Sequence, residues 1–486
     1  MTDCGEGLGA AMKWVGRILL GLVLVATATG TGAYFYFKEP VPDARLACYY
    51  GAYDLSGGGI AVVTPSSGTQ NLRLVLMTGE TWFLQPLAQS AGGVPSKFSI
   101  SLGWTEKIIA GSDVAFGSCG EGKIALHGDA LPKATGTHRA FDISDATFAS
   151  HGLKLYGRLV MPQAKGPVPI AVLVHGSERD SAVLFNRLQY LFAANGIGVF
   201  VYDKRGTGKS EGSYTQDFNL LADDAAAALT KARALAGDRA SNVGFQGGSQ
   251  AGWIEPLAAT KTKTDFVLVG FGLAETPVDE DRDCVVVDLR DAGYSDDVIA
   301  RAREITDATA RVIASHFSEG FEQFEAVKVK YGNEPWYKAI KGQYTGDMLK
   351  YPSFALRIAG PFFEVGTPYA YDSLPPLRAY DGPHLWVFGG SDSVAPSEQT
   401  LRVLRALQVD KPKLGIVVFP KADHGIIEFE KKNGERVSTR FSPGYFDLMV
   451  DWIKTKKINV PADSAVVYVH TTDNTPPSGS AVMDTP

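Results

Sequence analysis

The chain has 486 residues, enough for two or three domains and a large buried core. Its 45% hydrophobic and 21% charged content excludes a disordered or low-complexity chain. A net charge of −6 gives no basic field, so nucleic acid is not an expected partner.

Residues 1–17 form a short N-terminal tail, and Ile18 to Phe37 carry no charge. As a helix this stretch would be ~30 Å long, the thickness of a bilayer's hydrocarbon core. Lys13 and Arg17 precede it, and Tyr34, Phe35, Tyr36 and Phe37 close it like an interfacial belt. Ala26-Thr27-Ala28 fits a signal-peptide cleavage site. The apolar run continues past that site, which favours a retained transmembrane helix. The expectation is a single-pass protein of a cell inner membrane, with the bulk of the chain on the periplasmic or extracellular side. Cleavage would instead leave a secreted or periplasmic protein.

Residues 44–141 read as a small antiparallel β domain, from alternating runs broken by Gly, Ser and Pro. Its strand candidates are Gly59 to Thr64, Leu72 to Met77, Thr81 to Leu84, Lys97 to Leu102 and Lys123 to His127. The domain carries no catalytic cluster and reads as a spacer or as a wall of a site elsewhere. Cys48 and Cys119 flank it. They are either a disulfide, if the chain is exported, or two buried thiols.

Residues 146–457 change period. Ala146 to Met161 reads as an antiparallel pair turning at His151-Gly152. Pro169 to Val174 and Ile197 to Tyr202 are solid apolar runs, as strands covered on both faces should be. Helical stretches at Ala182 to Ala194 and Leu220 to Ala236 alternate with them, and Val243 to Gln246 and Asp265 to Val269 are further strands. Strand alternating with helix implies a doubly wound, mostly parallel α/β sheet. Residues 275–380 interrupt this rhythm with helical periodicity and a crowd of aromatics, an inserted lid. The sheet resumes at Leu385 to Phe388 and Gly415 to Phe419, with helices over Ser397 to Leu407 and Pro443 to Lys457. Residues 461–486, rich in Pro, Ser, Thr and Asp, read as a loose tail.

Groups at the carboxyl ends of parallel strands gather into one crevice. The strand ending at Val174 delivers His175-Gly176-Ser177, and the one ending at Tyr202 delivers Asp203-Lys204-Arg205-Gly206-Thr207-Gly208. The strand ending at Gln246 delivers Gly247-Gly248-Ser249-Gln250-Ala251. This is a nucleophile-elbow pattern with Ala251 where the last glycine usually stands. Asp392 and His424 follow the last two strands of the series. Gly206 to Ser210 is not a P-loop, because the required leading glycine is Asp203. Arg205 is expected to pair with Asp203 or to cap that loop. The eight histidines are scattered and no His-Glu-x-x-His occurs, so neither a metal nor another cofactor is expected.

The order Ser, Asp, His, each just past a strand, resembles the α/β-hydrolase superfamily from about Ala146 to Lys457. The Asp-x-Arg-Gly-x-Gly-x-Ser run and the lid between the sixth and seventh strands look like its bacterial esterase and serine-aminopeptidase branches. The resemblance implies Ser249 as nucleophile, His424 as its base and Asp392 as the acid orienting the imidazole. Asp423, adjacent to His424, is the rival acid. The amide of Gln250, with that of Ser177 or Gly176, would form the oxyanion hole. His175 would brace its loop. The implied activity is a serine hydrolase acting on carboxylic esters or thioesters of a small-molecule acyl substrate. A peptidase with the same triad and a catalytically inactive ligand-binding module are the alternatives. The lid is expected over Ser249, supplying an aromatic wall.

Overall fold

The computed structural model describes residues 41–87, 93–461 and 463–469. Residues 18–37, which carry the transmembrane expectation, lie outside them, as do 470–486. Among the described residues no helix is long and apolar enough to cross a membrane.

The first domain is a closed antiparallel barrel. Its strands are β1 (Gly51–Leu55), β2 (Ile60–Pro65), β3 (Leu72–Leu76), β4 (Thr81–Pro86), β5 (Lys97–Leu102), β6 (Ile108–Phe116), β7 (Lys123–His127) and β8 (Ala134–His138). Each pairs with the next, and β8 returns to β1 through Tyr53 opposite His138. Tyr53, Leu74, Leu84, Phe98, Ile100 and Val114 fill the interior. The sequence reading lacks β1, β6 and β8. Ala-Thr-Gly-Thr-His in β8 has no apolar alternation, and β6 is interrupted by Gly111 at φ 78°. Cys48 and Cys119 are bridged, with Cα atoms 5.5 Å apart. The bond ties the turn before β1 to the β6–β7 turn. Across its 71-residue separation it contributes about 4 kcal/mol on the chain-entropy model.

The second domain is a nine-stranded sheet. Its strands are β9 (Phe141–Ser150), β10 (Leu153–Pro162), β11 (Val168–Val174), β12 (Gly198–Tyr202), β13 (Ala240–Gly248), β14 (Val267–Gly270), β15 (His384–Gly389), β16 (Leu414–Phe419) and β20 (Val466–Tyr468). They lie in the order β20-β16-β15-β14-β13-β11-β12-β10-β9. The six from β11 to β16 are parallel, and β9, β10 and β20 are antiparallel to their neighbours. This is the α/β-hydrolase arrangement, with the chain reversing direction across the sheet between β11 and β12. Helices Phe218–Ala236 and Ala251–Lys261 cover one face, and Leu188–Ala194 and Tyr445–Thr455 the other.

Three local expectations change. The helix over 182–194 is two, Ala182–Phe185 and Leu188–Ala194. The tail beginning at 461 is not wholly loose, because Val466–Tyr468 pairs with β16 and closes that edge of the sheet. Around His424, before the last helix, stands a small three-stranded hairpin sheet that the sequence reading lacks. It consists of β17 (Ala422–Asp423), β18 (Ile427–Lys432) and β19 (Glu435–Phe441). Its turn residues Asn433 and Gly434 have φ 54° and 84°, the double positive φ of a type I′ turn.

The hairpin joins the two domains. Arg440 pairs with Glu80 at 3.1 Å and donates to the Thr78 carbonyl at 2.8 Å, and the Phe441 amide donates to Gly79. A Cβ on Gly103 would lie 2.5 Å from the Ser438 carbonyl oxygen, so only glycine admits this approach of barrel to hairpin. Ala52, Val62 and Val75 of the barrel share a core with Tyr190 and Leu191.

The insertion 275–380, between β14 and β15, is helical, with helices Pro277–Asp291, Asp296–Ala314, Phe321–Tyr331, Thr345–Leu349, Ser353–Phe363 and Leu374–Ala379. Ile305, Val312, Phe324 and Trp336 fill its own core. The buried Asp281 carboxylate binds it together, accepting from the amides of Gln343, Tyr344 and Thr345 and from the Thr345 hydroxyl.

Candidate active site

Strand β13 ends in Gly247-Gly248, and Ser249 follows with φ 56°, a left-handed conformation that a side chain rarely adopts. The neighbours explain the small residues. A Cβ on Gly248 would meet the Phe271 ring at 2.2 Å, and one on Gly247 would meet the Val174 carbonyl at 2.4 Å. Gly252 abuts Gly272: a Cβ on Gly252 would lie 2.7 Å from the Leu273 amide nitrogen, and one on Gly272 would lie 2.8 Å from Gly252 Cα. Ala251 is fully buried at the start of the next helix, so the methyl in place of the usual glycine is accommodated.

His424 follows β17, and its Nδ1 lies 3.0 Å from Asp392 Oδ2. The other Asp392 oxygen accepts the amides of Val394 and Ala395 at 2.9 and 2.7 Å, which hold the carboxylate in place. With Nδ1 engaged, Nε2 is the ring nitrogen left for a serine hydroxyl. The Phe271 ring meets the imidazole edge-to-face, centroids 4.9 Å apart. Asp423 does not bond the imidazole. It accepts from the Ser393 amide and hydroxyl, the His424 amide and Arg436, and so staples the acid loop to the histidine loop.

Ser249 and His424 line one cavity of about 510 Å³, together with Gly176 and Ser177. A Cβ on Gly176 would lie 3.5 Å from Ser249 Cβ, so this loop runs directly beside the serine. Lys204 Nζ donates to the Gly176 carbonyl at 2.8 Å and Tyr214 to that of Ser177 at 2.6 Å, fixing the loop's carbonyls away from any oxyanion. His175 bonds the Tyr202 carbonyl through Nε2. Gln250 precedes the helix Ala251–Lys261, and its buried side chain is not on the cavity wall. Only its amide is a candidate donor. Arg205 pairs with neither Asp203 nor the loop. It forms two 2.6 Å bonds to the buried Asp224, while Asp203 accepts from Ser181, Val183 and Lys209.

The cavity wall differs from the expectation. No residue of 275–380 lines it; the aromatic wall is Trp104 from the barrel with Phe185, Phe271, Phe441, Tyr445 and Phe446. The insertion instead flanks the acid loop, where Cys284 donates to the Val394 carbonyl at 3.1 Å. Trp104 and Phe441 were not singled out in the sequence. Their signal is long-range, because each lies in a segment placed only by the barrel–hairpin contact. No group of acidic, His or Cys side chains suited to a metal occurs among the described residues.

Two carboxyls near the elbow are buried without hydrogen-bond partners, Glu255 and Glu275. Burial, with Asp283, Asp279 and Glu280 adding repulsion, pushes Glu275 up to about 9, and burial raises Glu255 as well. The folded protein thus holds protons that the unfolded chain releases near pH 4.5. The resulting stability is complete below that pH and is lost as pH rises toward 9, by at most ~1.4 kcal/mol per pH unit for each group. Thermal melting is expected to decline from pH 5 to 9, and Glu275→Gln should flatten the decline. An unchanged slope in that variant would contradict the assignment.

Residues 165–269 match the family model for serine aminopeptidase, S33. The match includes Gly176, Ser177, Ser249 and Gln250 and ends before Asp392 and His424. The thiohydrolase aneE of Aspergillus aculeatus is 38% identical over 66 residues, 14% of this chain and 20% of that protein. The chain therefore spans about a fifth of the length of this curated relative. Among solved structures, an esterase of Pyrococcus furiosus is 15% identical with TM-score 0.39, covering 59% of this chain and 84% of its own. An acylaminoacyl peptidase of Pyrococcus horikoshii is 12% identical with TM-score 0.38, covering 77% and 52%.

Proposed function

We propose that the chain is a member of the α/β-hydrolase superfamily, a serine hydrolase cleaving carboxylic esters or thioesters through an acyl-enzyme. The observation that carries this reading is the 3.0 Å His424–Asp392 contact on a cavity shared with the left-handed Ser249. His424 Nε2 takes the Ser249 proton as the hydroxyl attacks the acyl carbon, and returns it to the leaving group. Asp392 fixes the tautomer and stabilises the imidazolium. The amides of Gln250 and of Ser177 or Gly176 stabilise the tetrahedral oxyanion. Water, activated by the same histidine, releases the acid and regenerates the serine.

The test is turnover of a matched panel of aryl esters, alkyl thioesters and aminoacyl amides sharing one acyl group. Ester and thioester turnover well above amide turnover is expected. Preference for the aminoacyl amides would replace this reading with a peptidase, and absence of all turnover would favour an inactive binding module.

The uncharged stretch 18–37 supports membrane anchorage, with the catalytic domain on the periplasmic or extracellular side. Full-length protein should stay with membranes through salt and carbonate washing. Release into the wash would exclude a spanning anchor, and an N-terminus at Thr29 would indicate signal cleavage.

A further inference from the structure

Arg187 stands between the helices Ala182–Phe185 and Leu188–Ala194 and lines the cavity that holds Ser249 and His424. Its guanidinium lies over the Phe441 ring, 5.0 Å from the centroid. Its Nε is buried without a hydrogen-bond partner. Among the described residues it is in no ion pair. The carboxylates on the same wall are Glu178 and Asp180. Glu178 turns to His175, 3.7 Å away, and neither forms a salt bridge with Arg187.

A second guanidinium stands behind the aromatic wall. Arg73, buried in the barrel, lies 5.4 Å from the Phe83 centroid and 5.1 Å from that of Trp104. It bonds the Gly103 carbonyl and the Ser66 hydroxyl, which are neutral groups. Trp104 in turn meets Phe441 edge-to-face at 5.4 Å. A run of rings and cations thus leads from Phe83 through Arg73 to the adjacent rings of Trp104 and Phe441 and on to Arg187. Both cations lack a carboxylate, and only Arg187 reaches the cavity. Desolvating an arginine without a counter-ion is unfavourable, and proteins rarely do so without a use for it. A guanidinium held over an aromatic ring presents a planar fork of N–H groups preorganised for a carboxylate.

We propose that Arg187 is the anion-recognition point of this site, and that the substrate carries a carboxylate besides the bond that is cleaved. The proposal rests on the serine-hydrolase reading and specifies its substrate class. Burial lowers the proton affinity of both arginines, as the uncompensated charge requires, and an arriving carboxylate relieves it. The aromatic wall then packs against the chain joining the carboxylate to the scissile group.

The test uses two matched pairs, which place the carboxylate on either side of the scissile bond. The first is the 4-nitrophenyl monoester of adipic acid against 4-nitrophenyl hexanoate. The second is the butyrate ester of 4-hydroxybenzoate against that of 4-hydroxybenzamide. In at least one pair the parent is expected to favour the anion by about tenfold or more in kcat/KM, mostly through KM. Arg187→Met should collapse that ratio toward one, and Arg187→Lys should restore part of it. Calorimetric binding of monomethyl adipate and of methyl hexanoate to the Ser249→Ala protein reads the subsite without turnover. Tighter binding of the anion, lost on adding Arg187→Met, supports the proposal even if the serine assignment fails. A parent that favours the neutral member of both pairs, or an Arg187→Met variant that keeps the anionic preference, overturns it.

Discussion

Ser249→Ala is expected to abolish hydrolysis while the protein stays folded. The serine hydroxyl is the only candidate nucleophile at the elbow, and its left-handed backbone is held by contacts that alanine keeps. The loss should appear in kcat, by ~10⁴-fold or more, because nucleophile, base and acid act as a unit. Melting temperature should change little, since the Ser249 hydroxyl stands on the cavity wall and does not hold the fold together. Near-normal turnover in this variant would remove the serine from the mechanism.

Asp392→Asn is expected to lower kcat by ~10⁴-fold, because the amide presents the wrong hydrogen-bonding pattern to Nδ1 and favours the wrong tautomer. Its neighbour provides the control. Asp423 bonds Ser393, Arg436 and the His424 amide, not the ring, so Asp423→Asn should loosen the two loops at a much smaller cost in rate. If Asp423→Asn were the crippling change and Asp392→Asn the mild one, the two assignments would have to be exchanged.

The parts of this protein that could be read in its sequence are those set by local pattern. Val-Leu-Val and Val-Phe-Val-Tyr runs form strands buried on both faces, and Gly-Gly-Ser-Gln-Ala forms an elbow wherever the neighbouring backbones approach closely. Asp392 and His424 were legible because a parallel sheet brings its strand ends together whatever lies between. What could not be read depends on contacts distant in sequence. The closure of the barrel needs Ala134–His138, whose composition gives no strand signal, to meet β1. The aromatic wall needs Gly103 to reach the backbone near Ser438. The insertion's aromatics were expected over the serine, but rings such as Phe324 and Trp336 serve the insertion's own core. Position in the chain fixed where the insertion emerges and left its direction open. Arg205 illustrates the same limit at short range, since its partner Asp224 lies a helix away rather than beside it.

The most direct measurement is labelling of the full-length protein with a small fluorophosphonate, followed by peptide mapping of the adduct. An activated serine attacks phosphorus, and the adduct should map to Ser249 alone. Labelling should fall sharply in the Asp392→Asn variant and vanish in His424→Ala. No adduct on a folded parent, or an adduct on another residue that persists in Ser249→Ala, would contradict the account.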